Sequence, residues 1–247
     1  SKIPWGKSGV EIVVESTGFF TDANQARDHA HDTVKKVIIS APAKNEDVTI
    51  VLGVNADVYR KSKHHVISNA SCTTNGLAPT VKVLLDNFGI QKAAMTTVHG
   101  YTATQKLVDG PDPKDMRRGR AAAVNIVPST TAAADAVIQA IPALACKFDA
   151  VAMRVPTISG SLSVVTVLTE RVTAREEVNE VFRKSAADPR WAKILKVTDD
   201  PLVSTDILGE SYGAILDLSL TKVVDGNLLE IFSWYDNEAG YTATLIE

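Results

Sequence analysis

Cysteine is scarce in this sequence, since Cys72 and Cys146 are the only two among its 247 residues. They allow one disulfide at most, which excludes the small secreted scaffolds that depend on several disulfides. Free thiols are the rule in reducing compartments. We therefore expect a cytoplasmic protein.

Long apolar runs and blocks of like charge are also missing. No stretch approaches the length of a membrane span, and the opening SKIPWGKSG lacks the apolar core of a secretory signal. The 26 basic and 29 acidic side chains, a net charge of -3, are spread along the chain. Because no basic tract is present, we expect neither a nucleic acid nor a membrane as a partner.

What is present is ample apolar material, at 45% of the residues, arranged in alternating strand-like and helix-like segments. Short β-branched runs at 10–15, 37–40 and 48–52 predict strands that are buried on both faces. Helical and strand patterns then alternate along the rest of the chain, with long strands around 150–155 and 162–168. This alternation predicts an α/β fold.

The stretch HHVISNASCTTNGLAP places Cys72 where a predicted strand gives way to a predicted helix. Apolar residues recur at helical spacing from Leu77 to Phe88, with Gly89 as the stop and Pro79 expected to kink or restart the helix. A helix N-terminus favours the negative charge of a thiolate and lowers a thiol pKa. Cys72 is therefore a candidate nucleophile, whereas Cys146 has no such surroundings and is interpreted as structural.

A nucleophilic cysteine needs a base, and His99 is the candidate among five histidines. The others lie in polar stretches and are interpreted as surface residues. His99 ends a strand pattern that places Met95, Thr97 and His99 on one face. One helix and one returning strand separate it from Cys72, so the chain can bring the two together. On spacing alone, a satisfied core histidine remains the competing interpretation.

Four segments in order, SNASCTTNGLAP, TTVHGYTATQ, RVPT and SWYDNEAGY, resemble the signature segments of phosphorylating glyceraldehyde-3-phosphate dehydrogenase. The similarity runs across essentially the whole chain. It implies that Cys72 attacks an aldehyde, that His99 acts as base and acid, and that inorganic phosphate cleaves the thioester formed after hydride transfer to NAD. The implied product is an acyl phosphate, in glycolysis.

The resemblance also assigns residues to two anions, the substrate phosphate and the attacking phosphate. Arg154 can offer a bidentate guanidinium fork to either anion. Thr102 and Thr104 match positions for the substrate phosphate. The resemblance gives the inorganic phosphate three hydroxyl side chains, those of Ser71, Thr73 and Thr130.

Cofactor contacts follow from the same resemblance, with NADP left open beside NAD. Asn237 matches the residue that holds the nicotinamide carboxamide, with Tyr241 nearby, and no metal is implied. A second group follows two predicted strands, at the strand ends where open α/β sheets bind nucleotides. Turn chemistry is the competing interpretation for this group, which comprises Ser16, Thr17, Gly18 and Ser40.

The resemblance implies an α/β architecture in two parts. The first is a truncated Rossmann-type dinucleotide-binding domain in residues 1–71, joined by 237–247. The second is an α+β catalytic domain with a mostly antiparallel sheet in residues 72–236, and the family assembles as homotetramers. The sequence departs from the family in lacking a Gly-x-Gly-x-x-Gly turn, so we expect the chain to begin midway through the nucleotide-binding fold.

That departure leaves alternatives open. A catalytically silent fragment could act as a binding or assembly module. A related enzyme such as erythrose-4-phosphate dehydrogenase would act on a longer sugar-phosphate aldehyde. A cysteine hydrolase or an aldehyde-oxidising relative would release a free acid without phosphate, although Arg154 and the hydroxyl clusters argue against hydrolysis.

Overall fold

The computed structural model describes residues 3–113 and 115–247. The described strands are β1 (Ile12–Glu15), β2 (Lys36–Ile39), β3 (Val48–Thr49), β4 (Val66–Ser68), β5 (Lys92–Gly100), β6 (Val127–Ser129), β7 (Phe148–Val155), β8 (Ser161–Leu168), β9 (Leu195–Thr198), β10 (Ala214–Asp217), β11 (Lys222–Val224) and β12 (Leu228–Tyr235). The described helices are α1 (Ala23–Ala26), α2 (Cys72–Phe88), α3 (Ala133–Ala140), α4 (Arg175–Ala187) and α5 (Ala239–Ile246).

The first four strands form a parallel sheet in the order β1-β2-β4-β3. Its register aligns Glu15, Ile39 and Ser68, the last residues of β1, β2 and β4. The segments that follow these strands therefore leave the sheet along one edge. The runs predicted as strands from the β-branched pattern are strands here, although β3 is only two residues long.

The later strands form an eight-stranded sheet in the order β6-β7-β5-β8-β12-β10-β9, with β11 beside β12. β5 runs parallel to β7, and β9 parallel to β10. The other strand pairs that the structure describes in this eight-stranded sheet are antiparallel. The predicted α/β class, with a parallel sheet and a second, mostly antiparallel sheet, is confirmed.

Helix α2 joins the two sheets. It leaves β4 through residues 69–71 and packs against β10 and β12 of the larger sheet. The predicted restart of the helix at Pro79 does not occur, because α2 is one helix from Cys72 to Phe88 with Pro79 inside it. Leu77, Ala78 and Val81 around the proline are fully buried, and packing along the whole helix outweighs the loss of one hydrogen bond.

Two apolar cores accompany the two sheets. The larger surrounds α2 and includes Leu77, Met95 and Val165. The smaller lies on the parallel sheet and consists of Val13, Ala23, Ala26, Val34, Val37, Ile39 and Val66, with partly buried neighbours. Within the described ranges, no helix is long and apolar enough to cross a membrane.

Candidate active site

Cys72 is the first residue of α2, and the local sequence explains why the helix begins there. Ala70 adopts a positive φ of 56° that turns the chain away from β4. Ser71 then caps the helix, since its hydroxyl accepts the Thr74 backbone N–H at 3.1 Å. Ser71 and Thr74 also share a hydroxyl hydrogen bond of 2.9 Å. This turn presents a half-buried thiol at the helix N-terminus.

His99 lies at the end of β5, with its side chain buried against the helix start. Its Nε2 atom is 3.7 Å from Sγ of Cys72. The two residues proposed from the sequence as nucleophile and base are thus brought together, by a helix that leaves one sheet and a strand of the other. This contact is long for a proton transfer but short enough to tighten when a substrate binds.

The other ring nitrogen of His99 has two close partners. Nδ1 lies 2.7 Å from the Gly100 carbonyl and 2.7 Å from Nη1 of Arg154. A guanidinium only donates, so the carbonyl and Arg154 favour opposite tautomers. With its proton on Nδ1, the ring presents a free electron pair at Nε2 toward the thiol. Burial, together with the charge of Arg154, lowers the pKa of His99 to about 4, so the ring is neutral at pH 7.

The expected low pKa of the Cys72 thiol is wrong for this structure. Burial raises the pKa of the Cys72 thiol above its ordinary value, although hydrogen bonds from Thr73 and the charge of Arg154 oppose the change. Because His99 is neutral, no imidazolium is present to stabilise a thiolate. The site therefore holds a thiol beside a neutral imidazole, which is a nucleophile with a general base rather than a preformed ion pair.

Arg154 reaches the site because β7 lies next to β5 and their register sets Arg154 opposite His99. Its Nη1 also donates to the Gly100 carbonyl at 3.3 Å. Its Nε–H is buried and has no hydrogen-bond partner among the described residues. A buried, unpaired guanidinium donor is costly, so an anion at this position would satisfy it.

Thr102 and Thr104 lie just beyond β5, and their hydroxyls share a hydrogen bond of 3.0 Å. A residue that the sequence reasoning missed, Gln105, orients both of them. Its amide donates to the Thr104 hydroxyl at 2.8 Å, and its carbonyl accepts the Thr102 backbone N–H at 2.8 Å. Gln105 is buried, and its place within TTVHGYTATQ is the only sequence signal that could have identified it.

Thr73 faces inward instead of toward an open anion site. Its hydroxyl shares a hydrogen bond of 3.0 Å with the hydroxyl of Tyr235, which shares another of 2.8 Å with Thr97. Tyr235 was also missed from the sequence, although it lies within SWYDNEAGY. Burial, reinforced by nearby Cys72, raises the pKa of Tyr235 to about 12. These three hydroxyls tie α2 to β5 and β12 behind the Cys72–His99 pair.

Thr130 has no hydrogen bond to this cluster among the described residues. Its side chain is exposed just after β6, and its carbonyl accepts from Arg118 at 3.4 Å. Of the three hydroxyl residues proposed for inorganic phosphate, Ser71 and Thr73 therefore share the start of α2, and Thr130 has no hydrogen bond to either of them within the described chain.

The proposed cofactor residues of the parallel sheet meet at its carboxyl edge. The Ser40 hydroxyl donates to the hydroxyl of Ser16 at 2.8 Å, and Gly18 takes a positive φ of 77° that suits glycine. Together with Thr21 and Ala41, they border a cavity of about 70 Å³. Thr17 does not border it; its hydroxyl accepts the Phe19 backbone N–H at 3.2 Å.

Asn237 and Tyr241 follow β12, and each contacts another segment of the chain. Oδ1 of Asn237 accepts the Gly160 backbone N–H at 3.0 Å and the hydroxyls of Ser159 and Ser161 at 3.4 and 3.3 Å. This fixes the amide orientation and leaves the Nδ2 group as its outward donor. The Tyr241 hydroxyl donates to the Ala70 carbonyl at 3.3 Å, and burial raises its pKa well above the ordinary value.

Among the residues that the structure describes, no group of three or more His, Cys, Asp or Glu side chains is placed to hold a metal ion. What the arrangement can do is nucleophilic: a thiol, a neutral imidazole and a buried guanidinium converge at the start of one helix.

Comparison with known proteins gives a consistent result. Residues 71–237 match the family model described as glyceraldehyde 3-phosphate dehydrogenase, C-terminal domain. The chain is 52% identical over 245 residues to a glyceraldehyde-3-phosphate dehydrogenase of Streptomyces coelicolor, covering 99% of this chain and 73% of that protein. It is 51% identical to the Mycobacterium avium protein of the same name, covering 99% and 71%. The chain belongs to the glyceraldehyde-3-phosphate dehydrogenase family.

Proposed function

We propose that this protein is an oxidoreductase that converts glyceraldehyde 3-phosphate to an acyl phosphate in glycolysis, with NAD as the hydride acceptor. The observation that carries the proposal is the distance of 3.7 Å between Sγ of Cys72 and Nε2 of His99. The chain is also 52% and 50% identical to two proteins named glyceraldehyde-3-phosphate dehydrogenase. A thiol beside a neutral imidazole is suited to covalent attack on an aldehyde.

The residues would act in the following order. Sγ of Cys72 bonds to the aldehyde carbon as the thiol proton passes to Nε2 of His99, which then protonates the carbonyl oxygen to give a thiohemiacetal. His99 next removes the proton from that oxygen while a hydride leaves the same carbon, and a thioester remains on Cys72. When bound, NAD supplies the acceptor for this hydride. An oxygen of inorganic phosphate then attacks the thioester, and the carbon–sulfur bond breaks to release the acyl phosphate. The proton held by His99 returns to the leaving sulfur, which restores the Cys72 thiol and the neutral imidazole.

Two features support a phosphorylated substrate. The buried Nε–H of Arg154 has no partner among the described residues, and a phosphate oxygen would satisfy it. Thr102 and Thr104 present paired hydroxyls that Gln105 holds in place. We assign these residues to the substrate phosphate, and Ser71, Thr73 and Thr130 to the inorganic phosphate. Thr73, whose buried hydroxyl bonds to that of Tyr235, and Thr130, which is exposed and has no hydrogen bond to the other two, are the weakest members of this set.

The residues present fit the nicotinamide end of NAD. Asn237 has its Oδ1 satisfied from within the chain and one outward amide donor, which suits a carboxamide oxygen. Tyr241 packs beside it at the base of the Cys72 turn. At the adenosine end, we assign Ser16, Thr17, Gly18 and Ser40 to the ribose and adenine, at the carboxyl edge of a Rossmann-type sheet. These residues do not distinguish NAD from NADP, and the sequence contains no glycine-rich pyrophosphate turn.

We also propose the family's organisation for this chain. Residues 1–71 with 237–247 would form the nucleotide-binding domain and residues 72–236 the catalytic domain, in a cytoplasmic homotetramer without a nucleic-acid or membrane partner. Large apolar side chains in the loop after β5 support a subunit contact there, since Leu107, Val108 and Met116 are strongly exposed.

The test is an assay of the purified chain with glyceraldehyde 3-phosphate, NAD and inorganic phosphate, together with mass measurement of any acyl group on Cys72. We expect Cys72→Ser to abolish product and His99→Asn to slow it about a hundredfold or more. Cys146→Ser is the matched control and should leave the rate unchanged, because Cys146 is exposed and apart from the site.

Other outcomes would identify a different protein function. Oxidation that does not depend on phosphate would indicate release of a free acid. Faster turnover of erythrose 4-phosphate would indicate the longer substrate. The absence of both product and acyl-enzyme would contradict the proposal and favour a silent binding or assembly module.

A further inference from the structure

Glu15 is a carboxylate buried at the end of β1, and nothing in the proposed chemistry uses it. Its side chain is only 4% exposed. Burial opposes ionisation, yet hydrogen bonds from Thr17 and His29 hold the pKa of Glu15 below its ordinary value. A buried charge that is retained in this way needs partners at each oxygen.

The two oxygens of Glu15 have separate partners. Oε1 accepts the Thr17 backbone N–H at 2.8 Å and also the Thr17 hydroxyl. Oε2 lies 3.1 Å from Nε2 of His29. The Thr17 hydroxyl in turn accepts the Phe19 backbone N–H at 3.2 Å. A single carboxylate therefore fixes the whole turn from Ser16 to Phe19.

His29 is held as firmly as the turn. Its ring lies 5.8 Å from the ring of Trp5 and 6.4 Å, edge to face, from that of Phe20. Trp5 precedes β1 in the chain, and Phe20 follows the turn, so the ring contacts aromatic residues from both sides of the strand and turn. The ring can therefore deliver Nε2 to Glu15 with little freedom to rotate away.

The turn that these residues hold lies at the carboxyl edge of the parallel sheet. The main-chain oxygen of Glu15 accepts the Ser40 backbone N–H at 3.0 Å, and the Ser40 hydroxyl donates to that of Ser16. Glu15 itself borders the cavity of about 70 Å³ that Ser16, Gly18 and Ser40 line. Any nucleotide at this edge would meet a surface whose shape depends on the carboxylate.

We propose that Glu15 and His29 are positioning residues, which hold the Ser16–Phe19 turn in the shape that receives the nucleotide. This proposal rests on the proposed function, because the assignment of a nucleotide to this edge of the sheet comes from there. It adds that the side chains of Glu15 and His29 act through the turn, by hydrogen bonds.

Asp47 offers a matched control within the same sheet. It is also a carboxylate of low exposure, at 18%, whose Oδ2 accepts two backbone N–H groups, from His65 and Val66, at 2.6 and 2.8 Å. It also contacts a cation, Arg27. Asp47 lies at the opposite, amino edge of the sheet, where no cofactor residue has been assigned. Glu15→Gln and Asp47→Asn thus each neutralise a carboxylate that organises backbone, at opposite edges.

The first measurement is titration of each purified variant with NAD. We expect Glu15→Gln to weaken the dissociation constant about tenfold, the loss appropriate to one charge-assisted contact, and Asp47→Asn to leave it unchanged. His29→Leu should weaken it similarly, whereas His29→Gln, which keeps a donor near the position of Nε2, should restore most of the affinity. Equal losses in Glu15→Gln and Asp47→Asn, or no loss in Glu15→Gln, would overturn the proposal.

The second measurement does not depend on the cofactor. Amide hydrogen exchange of Thr17 and Phe19 should accelerate about tenfold in Glu15→Gln and in His29→Leu, but not in Asp47→Asn. Unchanged exchange would overturn the positioning role. If the unmodified chain fails to bind NAD while the exchange pattern holds, the assignment of this edge to NAD fails and the positioning of the turn stands.

Discussion

The parallel sheet and the eight-stranded sheet differ in how well each is buried, and the proposed chemistry divides along that line. The parallel sheet has the small core, and its edge strand β1 leaves Ile12 and Val14 exposed at 56% and 47%. The eight-stranded sheet shares the large core with α2, which begins at Cys72. Nucleophile and base thus belong to the better-packed region, and the turn assigned to the nucleotide belongs to the other.

This difference teaches that the reactive pair and the nucleotide edge need not fail together. The distance from Cys72 to His99 depends on the hydrogen bonds that join α2, β12 and β5 through Thr73, Tyr235 and Thr97. The Ser16–Phe19 turn depends on local polar contacts around Glu15. Loss of order in the parallel sheet should therefore lower nucleotide affinity before it disturbs the thiol.

The largest expected effect comes from a substitution that opens a cavity in the large core, compared with one that opens a cavity in the small core. Leu77 is fully buried in α2, so Leu77→Ala should lower the free energy of unfolding by about 2–5 kcal/mol. Val13→Ala, in the small core, should cost about 2 kcal/mol and act on the parallel sheet. Urea unfolding, followed by amide exchange of β2 and β8, would measure both. A Val13→Ala variant that destabilises β8 as much as β2 would show that the two regions form one cooperative unit.

The free energy of unfolding should depend on pH through His99, which lies in the eight-stranded sheet. Its pKa falls from 6.5 in an unfolded chain to about 4 in the fold. Below pH 6.5 the unfolded chain therefore binds a proton that the folded chain binds only near pH 4. The free energy of unfolding should drop as the pH falls through that window, by about 3 kcal/mol in total.

His99→Asn isolates this effect, because the carboxylates of the chain also titrate in acid. The difference in unfolding free energy between wild type and His99→Asn should shrink between pH 7 and pH 4.5 in urea titrations. If the difference stayed constant, the His99 ring would be more exposed to water than the structure shows, and its pKa would not be lowered.

The smallest expected effect concerns the cap of α1 in the parallel-sheet region. The Asp22 side chain accepts the Asn24 backbone N–H at 2.8 Å, so Asp22→Ala should cost about 1 kcal/mol. Asp22→Asn keeps an acceptor and serves as the control. We expect faster amide exchange in α1 and an unchanged rate of Cys72 alkylation. A change in alkylation would mean that the two regions are coupled more closely than their cores indicate.

Local patterns in the sequence were sufficient for part of the site. Period-two alternation placed His99 on a buried face, and the change from strand to helix placed Cys72 at a helix start, which the structure agrees with. The contact of Arg154 with His99 depends on the parallel register of β5 and β7, which no local pattern encodes. Gln105 and Tyr235 carry no signal apart from their place within recognised segments.

The two wrong expectations have a common physical origin. The restart of the helix at Pro79 and the low pKa of Cys72 were both inferred from neighbours in the chain. In the fold, packing from distant strands keeps α2 continuous through Pro79, and burial by the same surroundings raises the thiol pKa. Local chemistry sets a preference, and the environment built by remote residues decides the outcome.

The hydroxyl of Tyr235 has a consequence for how this protein can vary. Through Thr73 and Thr97 it joins the helix that carries the nucleophile to the strand that carries the base. The spacing of the reactive pair is thus carried by three buried side chains and does not depend on the long loop after β5. Beyond Gln105, that loop is free to change in length and composition, and can diverge toward new subunit partners while the reactive pair stays in place.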